Sequence, residues 1–372
     1  MLEPQSNTGT SIAALADSLW RCPKCRDCLR ESDRSLECPK CDRHFDVVDG
    51  IPDFRLSIPN WLDVAADTAT ARELAEAKLP LDELIREVFA RQTPSDHQRV
   101  ERRTREMLAG PTCLQEDLEG WLKPVIAGGH FLDLGCGGGM LLAAAADLHP
   151  SVPVVGIDVS MTWLVVAKRM VAERGGHAIL AAAMAEALPL ASESIPAIVS
   201  LDVIEHVDKP DPYLAEIDRV LEVGGRAALS TPNRFSLTAE PHVFVWGVGW
   251  LPQRFQRAFV RWRSGKAYDY TVLMSSFGLR RKVRTNTGLR FQIHVPKVAS
   301  SNVAHFGSGK AAAARFYNAL AGSVLLRPLF LCIAPFFRVI GTKIAATSAA
   351  VFSFIFSSHL ELVGVLDYVA NA

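Results

Sequence analysis

The sequence Phe131-Leu-Asp-Leu-Gly-Cys-Gly-Gly-Gly139 joins a short apolar run to a glycine-rich loop. A second apolar run, with helical composition, follows at once from Met140 to Leu148. Glycines between a strand and a helix let a ligand approach the backbone closely, with unpaired N–H groups facing it. The stretch therefore predicts a buried strand, a ligand-binding turn and a helix.

Carboxylates on either side of this loop indicate which ligand it binds. Val154-Val-Gly-Ile-Asp158 is the next strand-like run, and it ends in an acid 25 residues after Asp133, as expected for a carboxylate that binds ribose hydroxyls. A glycine loop alone would equally suit a dinucleotide, but those loops usually have an apolar residue at the position of Asp133, since pyrophosphate is anionic. A carboxylate there favours a cationic ligand, such as the ammonium and sulfonium groups of S-adenosylmethionine.

Strand-like and helical runs alternate between residues 126 and 296, as in a parallel sheet covered by helices. Strands are predicted at 130–135, 153–157, 178–183, 196–201 and 225–231, and helices at 139–148, 160–174 and 211–221. The remaining segments are a flexible leader (1–17), a cysteine module (18–58), a helical linker or cap (60–125) and an apolar helical tail (297–372). The chain is thus expected to be an α/β protein with a small N-terminal module and a helical C-terminal extension.

Five ordered motifs in residues 128–235 resemble the class I methyltransferases of the ubiquinone O-methyltransferase type. Beyond the glycine loop and Asp158 they are Ala185-Glu-Ala-Leu-Pro-Leu190, Leu201-Asp-Val-Ile-Glu-His-Val207, the segment from Tyr213 to Gly225, and Ser230-Thr-Pro-Asn-Arg234. The resemblance implies a Rossmann-like, doubly wound, mostly parallel seven-stranded sheet that binds S-adenosylmethionine. It implies donor contacts from Asp133, Gly135, Cys136, Gly137, Asp158, Val159, Met184, Ala185, Leu201 and Asp202.

Two positions depart from that family. Met184 stands where the family often has an acid that contacts the adenine amino group, so we expect the backbone of Ala185 and apolar packing to hold the adenine. Pro196 lies near the start of the fourth predicted strand, and proline is expected at a strand's first residue because it lacks a ladder donor.

The segment after the fourth strand also carries the candidates for chemistry. Methyl transfer is an in-line displacement that needs a positioned acceptor and, for oxygen or nitrogen, often a base. His206 and Glu205 are the candidate catalytic residues, against the alternative that His206 packs or caps a helix. Asp202-x-x-Glu205-His206 is similar to segments that bind a divalent metal in some ubiquinone-type and small-RNA methyltransferases. His242 and Tyr268 are further candidates, with a structural role as the alternative.

Four cysteines near the N-terminus form two Cys-x-x-Cys pairs, Cys22/Cys25 and Cys38/Cys41, separated by twelve residues. Two such pairs bring four thiolates to tetrahedral geometry around one zinc ion. Residues 18–56 resemble the small zinc ribbons of the Trm112-like type, which implies structural zinc and a stabilising or docking role. A redox pair, with Cys28 as a spare thiol, is the alternative.

A basic stretch and an apolar tail raise the question of partners. Residues 251–290 contain ten Lys and Arg against one acid, and Leu251, Phe255 and Phe259 recur at i, i+4 spacing, as in an amphipathic basic helix. The tail's apolar runs, 328–337 and 344–358, are shorter than the roughly 20 residues that span a bilayer. We expect peripheral membrane contact through 251–290 and 319–360; a helix packed on the domain, a buried extension and a homo-oligomer interface stay open.

The formal net charge is zero, which excludes a global field that attracts nucleic acid or membrane. The first twenty residues lack a basic start followed by an apolar core, and we expect a cytoplasmic protein with peripheral membrane association. The leading hypothesis is methyl transfer to an oxygen of a small lipid-like, quinone or secondary-metabolite acceptor. The alternatives are an RNA methyltransferase that uses the ribbon and the basic stretch, and a non-catalytic donor-binding adaptor.

Overall fold

A computed structural model describes residues 19–32, 35–57, 61–93, 96–127, 130–150, 152–298, 308–323 and 325–345. The predicted leader 1–17 and residues 346–372 of the predicted tail lie outside these ranges. The described chain forms a small N-terminal sheet, a set of helices and a large central sheet.

The N-terminal module is a four-stranded antiparallel sheet in the order β1-β2-β3-β4. Its strands are β1 (Arg30–Ser32), β2 (Ser35–Cys38), β3 (Arg43–Val48) and β4 (Ile51–Pro52). Three of its buried aromatic rings pack together: Phe54 lies 5.0 Å from Phe45 and 5.6 Å from Trp20, measured between ring centroids. These rings belong to the same apolar cluster as Leu132 and Ile157 of the central sheet. The module therefore packs on the sheet, and a structural metal would stabilise its four short strands further.

The predicted helical linker consists of α1 (Val64–Ala77), α2 (Leu81–Gln92), α3 (His97–Glu119) and α4 (Lys123–Ile126). Aspartates begin two of these helices: Asp63 accepts a hydrogen bond from Ala66 N, and Asp96 accepts one from Arg99 N. These caps satisfy backbone donors that a helix leaves unpaired at its start. Leu84, Ile85 and other apolar side chains of these helices pack on one face of the large domain.

The central sheet has seven strands in the order β10-β11-β9-β8-β5-β6-β7. They are β5 (Leu132–Leu134), β6 (Val154–Asp158), β7 (Ala178–Ala182), β8 (Ile195–Leu201), β9 (Leu221–Pro232), β10 (Leu289–His294) and β11 (Phe336–Lys343). Strands β5 to β9 pair in parallel, and β11 pairs antiparallel with both β9 and β10. This confirms the doubly wound, mostly parallel seven-stranded sheet, and β5, flanked by β6 and β8, marks the point where the strand order reverses.

Seven further helices accompany the sheet in the described residues. They are α5 (Met140–Leu148), α6 (Met161–Ala172), α7 (Pro210–Val220), α8 (Gln253–Ser264), α9 (Ser276–Asn286), α10 (Ser308–Ala321) and α11 (Arg327–Ile333). Residues 234–275, here called the cover segment, lie between β9 and α9 and include α8 and a 3-10 turn, Val248–Trp250. The cover segment has its own apolar cluster, built on Val243, Val245, Val248, Val260 and Tyr268.

The predicted tail needs a correction. Helices α10 and α11 belong to the expected helical extension, but residues 336–343 form β11, which lies inside the central sheet between β9 and β10. Phe337 and Val339 alternate with more exposed residues and are almost fully buried, which is the period of a strand rather than a helix. The domain boundary expected at residue 296 is therefore too early, since the sheet is completed only by residue 343. Among the described residues, no helix is both long and apolar enough to cross a membrane.

Candidate active site

A cavity of about 560 Å3 lies at the carboxyl ends of β5, β6 and β8. This is the edge where ligands bind in open α/β sheets, at the reversal of strand order. Six of the ten predicted donor-binding residues line it: Gly135, Asp158, Val159, Met184, Ala185 and Asp202. The other four, Asp133, Cys136, Gly137 and Leu201, are not among the lining side chains. All of these donor contacts stay predictions.

The glycine loop is held in a conformation that only glycine adopts easily. Gly135 and Gly139 have φ angles of 82° and 79°, in the left-handed region. A Cβ at Gly135 would lie 2.2 Å from Val203 Cγ2, and one at Gly139 would lie 2.7 Å from Ala167 Cβ. The loop thus follows its neighbours too closely for any side chain at these two positions.

Asp158 ties the end of β6 to this loop. Its Oδ2 accepts a hydrogen bond of 2.8 Å from Gly137 N, and its Oδ1 accepts one of 2.9 Å from Ser160 N. Each carboxylate oxygen keeps a second lone pair, so ribose hydroxyls can still donate to Asp158 from the cavity. Burial raises the pKa of this carboxyl above its ordinary value.

Asp133 is only 4% exposed and lies on the central strand β5. Burial, and then the charge of Asp158, raise its pKa to about 8. Without a cation nearby, the Asp133 carboxyl is therefore protonated at neutral pH. Because Asp133 does not line the cavity, its predicted interaction with the donor's positive charge would act across the cavity wall.

Asp202 begins the segment that follows β8. Its φ of 56° is in the left-handed region, and its backbone N–H donates to Ser230 O at 3.1 Å. Its Oδ1 accepts a hydrogen bond of 2.7 Å from Ser230 Oγ. These two bonds to β9 hold a conformation that is uncommon for a residue with a side chain and aim Asp202 at the cavity.

His206, which lines the same cavity, is paired with His242 of the cover segment. The two Nε2 atoms lie 2.9 Å apart. His206 Nδ1 lies 3.2 Å from Tyr270 O, and His242 Nδ1 lies 2.5 Å from Glu240 Oε1. Because a carbonyl oxygen and a carboxylate only accept, each Nδ1 carries the hydrogen, and in the neutral rings both Nε2 atoms present lone pairs to one another. A proton or a metal ion must lie between them.

Glu205 favours a cation beside this pair. It is fully buried; Oε2 accepts a hydrogen bond of 3.0 Å from Thr231 Oγ1, while Oε1 has no hydrogen-bond partner and lies 3.9 Å from His242 Nε2. One ligand atom from each of Glu205, His206 and His242 lies within 4.8 Å of the others. Two imidazoles and a carboxylate, with both second ring nitrogens anchored, suit a divalent cation with open coordination positions. His242, rather than Asp202, completes this group.

Ionisation follows from the same burial. Burial, and then the charge of Asp202, raise the pKa of Glu205 to about 8. Burial lowers the pKa of His206, whereas the pKa of His242 is raised because its hydrogen bond to Glu240 and the charge of that residue outweigh burial. If the pair holds a proton, that proton therefore resides on His242, and His206 Nε2 accepts it.

Tyr268 is buried in the apolar cluster of the cover segment rather than in the cavity wall. Its hydroxyl has no hydrogen-bond partner, and burial raises its pKa. The Tyr268 hydroxyl is not part of the cavity wall, which favours a structural role for this residue.

Three further residues line the cavity although no sequence motif includes them: Trp61, Arg103 and Trp163. Trp61 and Arg103 come from the helical linker, where no motif marks them. Trp61 lies 6.3 Å from the ring of Tyr270, another lining residue that the motifs did not reveal.

The four cysteines of the N-terminal module do come together. Cys22 Sγ lies 3.5 Å from Cys41 Sγ, and Cys25 Sγ lies 3.3 Å from Cys38 Sγ. These distances exceed the ~2.05 Å of a disulfide bond but match thiolates that share a metal, and all four sulfurs lie within 4.8 Å of one another. The cluster is compatible with the predicted zinc, while Cys28 is exposed and outside it.

Part of the chain matches a known protein family in sequence. Residues 132–229 match the family described as a methyltransferase domain. The chain is 35% identical over 129 residues to the ubiquinone biosynthesis O-methyltransferase of Parvibaculum lavamentivorans, covering 33% of this chain and 49% of that protein. It is 36% identical over 132 residues to the protein of the same name in Cereibacter sphaeroides, covering 33% and 50%. The chain thus spans about half the length of the curated relatives it matches.

A similarity in structure is weaker. A S-adenosylmethionine-dependent methyltransferase of Thermotoga maritima aligns with 67% of this chain and 97% of its own, at 18% identity and a TM-score of 0.40.

Proposed function

Because this chain contains a class I, S-adenosylmethionine-dependent methyltransferase domain, we propose that it methylates an oxygen of a small quinone-type or other phenolic, lipid-like acceptor. The observation that carries the choice of oxygen is the cluster of Glu205, His206 and His242, of which His206 lines the cavity. The relatives, which are ubiquinone biosynthesis O-methyltransferases, support the acceptor class. They lend no support to the RNA methyltransferase or to the non-catalytic adaptor.

The lining of the cavity, which includes Asp158, Met184 and Ala185, supports the proposed place of the donor. In this proposal Asp158 accepts hydrogen bonds from the ribose hydroxyls, and Met184 and Ala185 lie along the adenine. The sulfonium then lies over the glycine loop, and its methyl group points towards Asp202 and His206 at the end of β8. In-line transfer needs the acceptor oxygen on the far side of that methyl group, which is the side of the histidine pair.

The acceptor hydroxyl must lose its proton as the oxygen attacks. In the proposed step the acceptor hydroxyl displaces His242 from His206 Nε2, which then accepts the hydroxyl proton, since the other nitrogen of His206 is fixed on Tyr270 O and burial favours the neutral ring by lowering its pKa. Glu205, His206 and His242 also fit a divalent cation. A cation held there would lower the pKa of a bound acceptor hydroxyl and favour the phenolate.

The test is methyl transfer from labelled donor to catechol-type and phenolic quinone precursors, with analysis of the product for an O-methyl ether. We expect incorporation that depends on His206 and His242. Tight binding of S-adenosylhomocysteine, without transfer to any phenol or to a membrane lipid extract, would overturn the proposed acceptor class but not the donor site.

We further propose that the cover segment binds an anionic lipid surface. Five large aromatic side chains are at least 49% exposed there: Phe244, Trp246, Trp250, Phe255 and Trp262. Basic residues are interleaved with them: Arg254, Arg257, Arg261, Arg263 and Lys266. Exposed aromatic side chains favour an apolar partner, and the basic side chains favour an anionic one. A membrane with acidic headgroups fits both.

This surface would also explain how a lipid-like acceptor reaches the cavity, because the same segment contributes Tyr270 to the cavity wall. Cosedimentation with vesicles of anionic and of neutral lipid tests it. We expect binding to anionic vesicles that is lost in the double variant Trp246→Ser/Trp262→Ser. Binding to RNA but not to vesicles, with a steep salt dependence, would replace the lipid by a nucleic acid.

A further inference from the structure

Arg55 joins the cysteine module to the rest of the chain through a buried guanidinium. Its side chain is 1% exposed. Nε and Nη2 donate to the two carboxylate oxygens of Asp53, at 2.8 and 2.5 Å, and Nη2 also donates to Thr68 Oγ1. Nη1 donates to Asp67 Oδ2 at 2.7 Å and to the backbone oxygen of Val159 at 3.0 Å.

Asp67, on α1, extends this hydrogen-bond network to the start of α6. Its carboxylate accepts hydrogen bonds from Met161 N at 2.7 Å, Ser160 Oγ at 2.8 Å and Thr162 N at 3.2 Å. These backbone donors are ones that a helix leaves unpaired at its N-terminus, and a carboxylate also suits the positive end of the helix dipole. An acid from a different helix therefore caps α6.

The turn between β6 and α6 lies under both groups. It consists of Asp158, Val159 and Ser160; Arg55 holds the carbonyl of Val159, and Asp67 holds Ser160. Ser160 N in turn donates to Asp158 Oδ1. Asp158 and Val159 line the donor cavity. One side of this turn thus faces the donor cavity, and the other side contacts Arg55 and Asp67.

We propose that Arg55 and Asp67 are positioning residues for the methyl donor: they hold the turn 158–160 so that Asp158 meets the ribose, and they couple donor affinity to the folded cysteine module. The proposal rests on the donor site proposed above. Neither residue lines the cavity, so both act through Asp158 and Val159. Because coupling of binding free energies is reciprocal, bound donor also stabilises the module.

Substitutions separate this role from a general structural one. Arg55→Lys keeps the charge but loses the planar fork that reaches Asp53, Asp67 and Val159 together. Asp67→Asn keeps the shape but weakens the cap of α6. Arg72→Met is the matched control, because Arg72 also joins α1 to the module, through a 3.0 Å ion pair with Asp46. This pair is exposed and does not involve the turn 158–160.

Calorimetric titration of each full-length, zinc-loaded variant with S-adenosylhomocysteine is the test. We expect Kd to rise about tenfold or more in Arg55→Lys and Asp67→Asn, as for displaced binding groups, and to stay within about twofold in Arg72→Met. The KM for the donor should rise likewise, while kcat at saturating donor and the KM for the acceptor change little. A folded Arg55→Lys variant with unchanged Kd overturns the proposal.

If Asp67→Asn fails to fold, Asp53→Asn replaces it, since it loosens Arg55 and leaves the cap of α6 intact. The reciprocal measurement is the release of zinc to a chelator, which bound S-adenosylhomocysteine should slow in the unmodified protein and slow less in Arg55→Lys. Equal slowing in both proteins also contradicts the coupling. Unmodified protein that binds no S-adenosylhomocysteine would refute the donor site itself, whereas binding without methyl transfer would refute only the acceptor.

Discussion

His206 Nε2 and His242 Nε2 lie 2.9 Å apart although the two residues are 36 positions apart in the chain. One ring follows β8 of the central sheet, and the other belongs to the cover segment. Since both Nδ1 atoms are engaged, by Tyr270 O and by Glu240, the geometry requires a proton or a cation between the rings. In the proposed function the sheet therefore binds the donor, and the cover segment completes the acceptor side.

Replacing His206 should remove the proposed proton acceptor, and replacing His242 should remove its ring partner and a candidate metal ligand, in both cases without disturbing the donor. We expect His206→Asn and His242→Asn to lower kcat/KM by about 10²–10⁴-fold, the range for loss of general acid–base catalysis. The affinity for S-adenosylhomocysteine should change little. His149→Asn, an exposed residue at the end of α5, is the control. Near-normal turnover in both active-site variants would return His206 to a packing role.

Divalent cation binding can be measured apart from activity. Zinc-loaded protein should bind Mn²⁺ at one additional site, and Glu205→Gln or His242→Asn should weaken this binding strongly because each removes a ligand. The cysteine module is the internal control, since its zinc content should not change in these variants. Titration monitored by electron paramagnetic resonance gives the stoichiometry. Equal Mn²⁺ binding by all three proteins would leave a shared proton as the only occupant of the pair.

The glycine loop, Asp158 and the five parallel strands could be predicted because their signals are local: glycines beside an apolar run, and an acid at a strand's end. Strand β11 could not, because residues 336–343 become a strand only by pairing with β9, about a hundred residues earlier in the chain. Its register brings Arg338 to Asp117, at 3.1 Å, and over the ring of Trp121. An apolar run flanked by arginines resembles an interfacial helix until those partners are known.

The side chains that support the site could not be predicted from the sequence either. Arg55, Asp67 and Glu240 are charged residues in polar stretches, where charge normally indicates solvent exposure. Arg55 and Asp67 are buried because the turn at 158–160 and the start of α6, about a hundred positions later, supply partners, whereas Glu240 is buried with His242, two residues later. His242 was a candidate on position alone, and its partnership with His206 depends on how the cover segment folds back on β8.

Gly139→Ala should destabilise the fold at the donor loop. Its φ of 79° disfavours a side chain, and the new Cβ would lie 2.7 Å from Ala167 Cβ and 2.8 Å from Ala167 Cα. We expect a loss of about 1–3 kcal/mol in the free energy of unfolding, from strain and overpacking together. Gly265→Ala is the matched control, because Gly265 has a similar φ of 70° but no atom within 4 Å of a Cβ. Urea denaturation compares the two, and equal losses would mean that α5 and α6 move apart without cost.

The contribution of Asp133 and Glu205 to stability should fall as the pH rises from about 4 to about 8. Burial raises the pKa of Asp133 and of Glu205 to about 8, so in this window the folded chain retains protons that the unfolded chain has released. Stability linked to such groups is present in acid and is lost as the pH rises towards the folded-state pKa, by at most about 1.4 kcal/mol per pH unit for each group. Asp133→Asn and Glu205→Gln should each flatten the profile of unfolding free energy against pH, measured by urea denaturation.

The same proton on Asp133 predicts a signature of donor binding. A cationic donor favours the ionised carboxylate, so binding at pH 6.5 should release a proton from Asp133. Calorimetric titrations with S-adenosylmethionine in buffers of different ionisation enthalpy measure this release, and it should vanish in Asp133→Asn. At pH 9, above the pKa of about 8, the unmodified protein should release far less. Proton release that persists in Asp133→Asn would assign it to Asp158 or Glu205 and remove Asp133 from the donor's electrostatics.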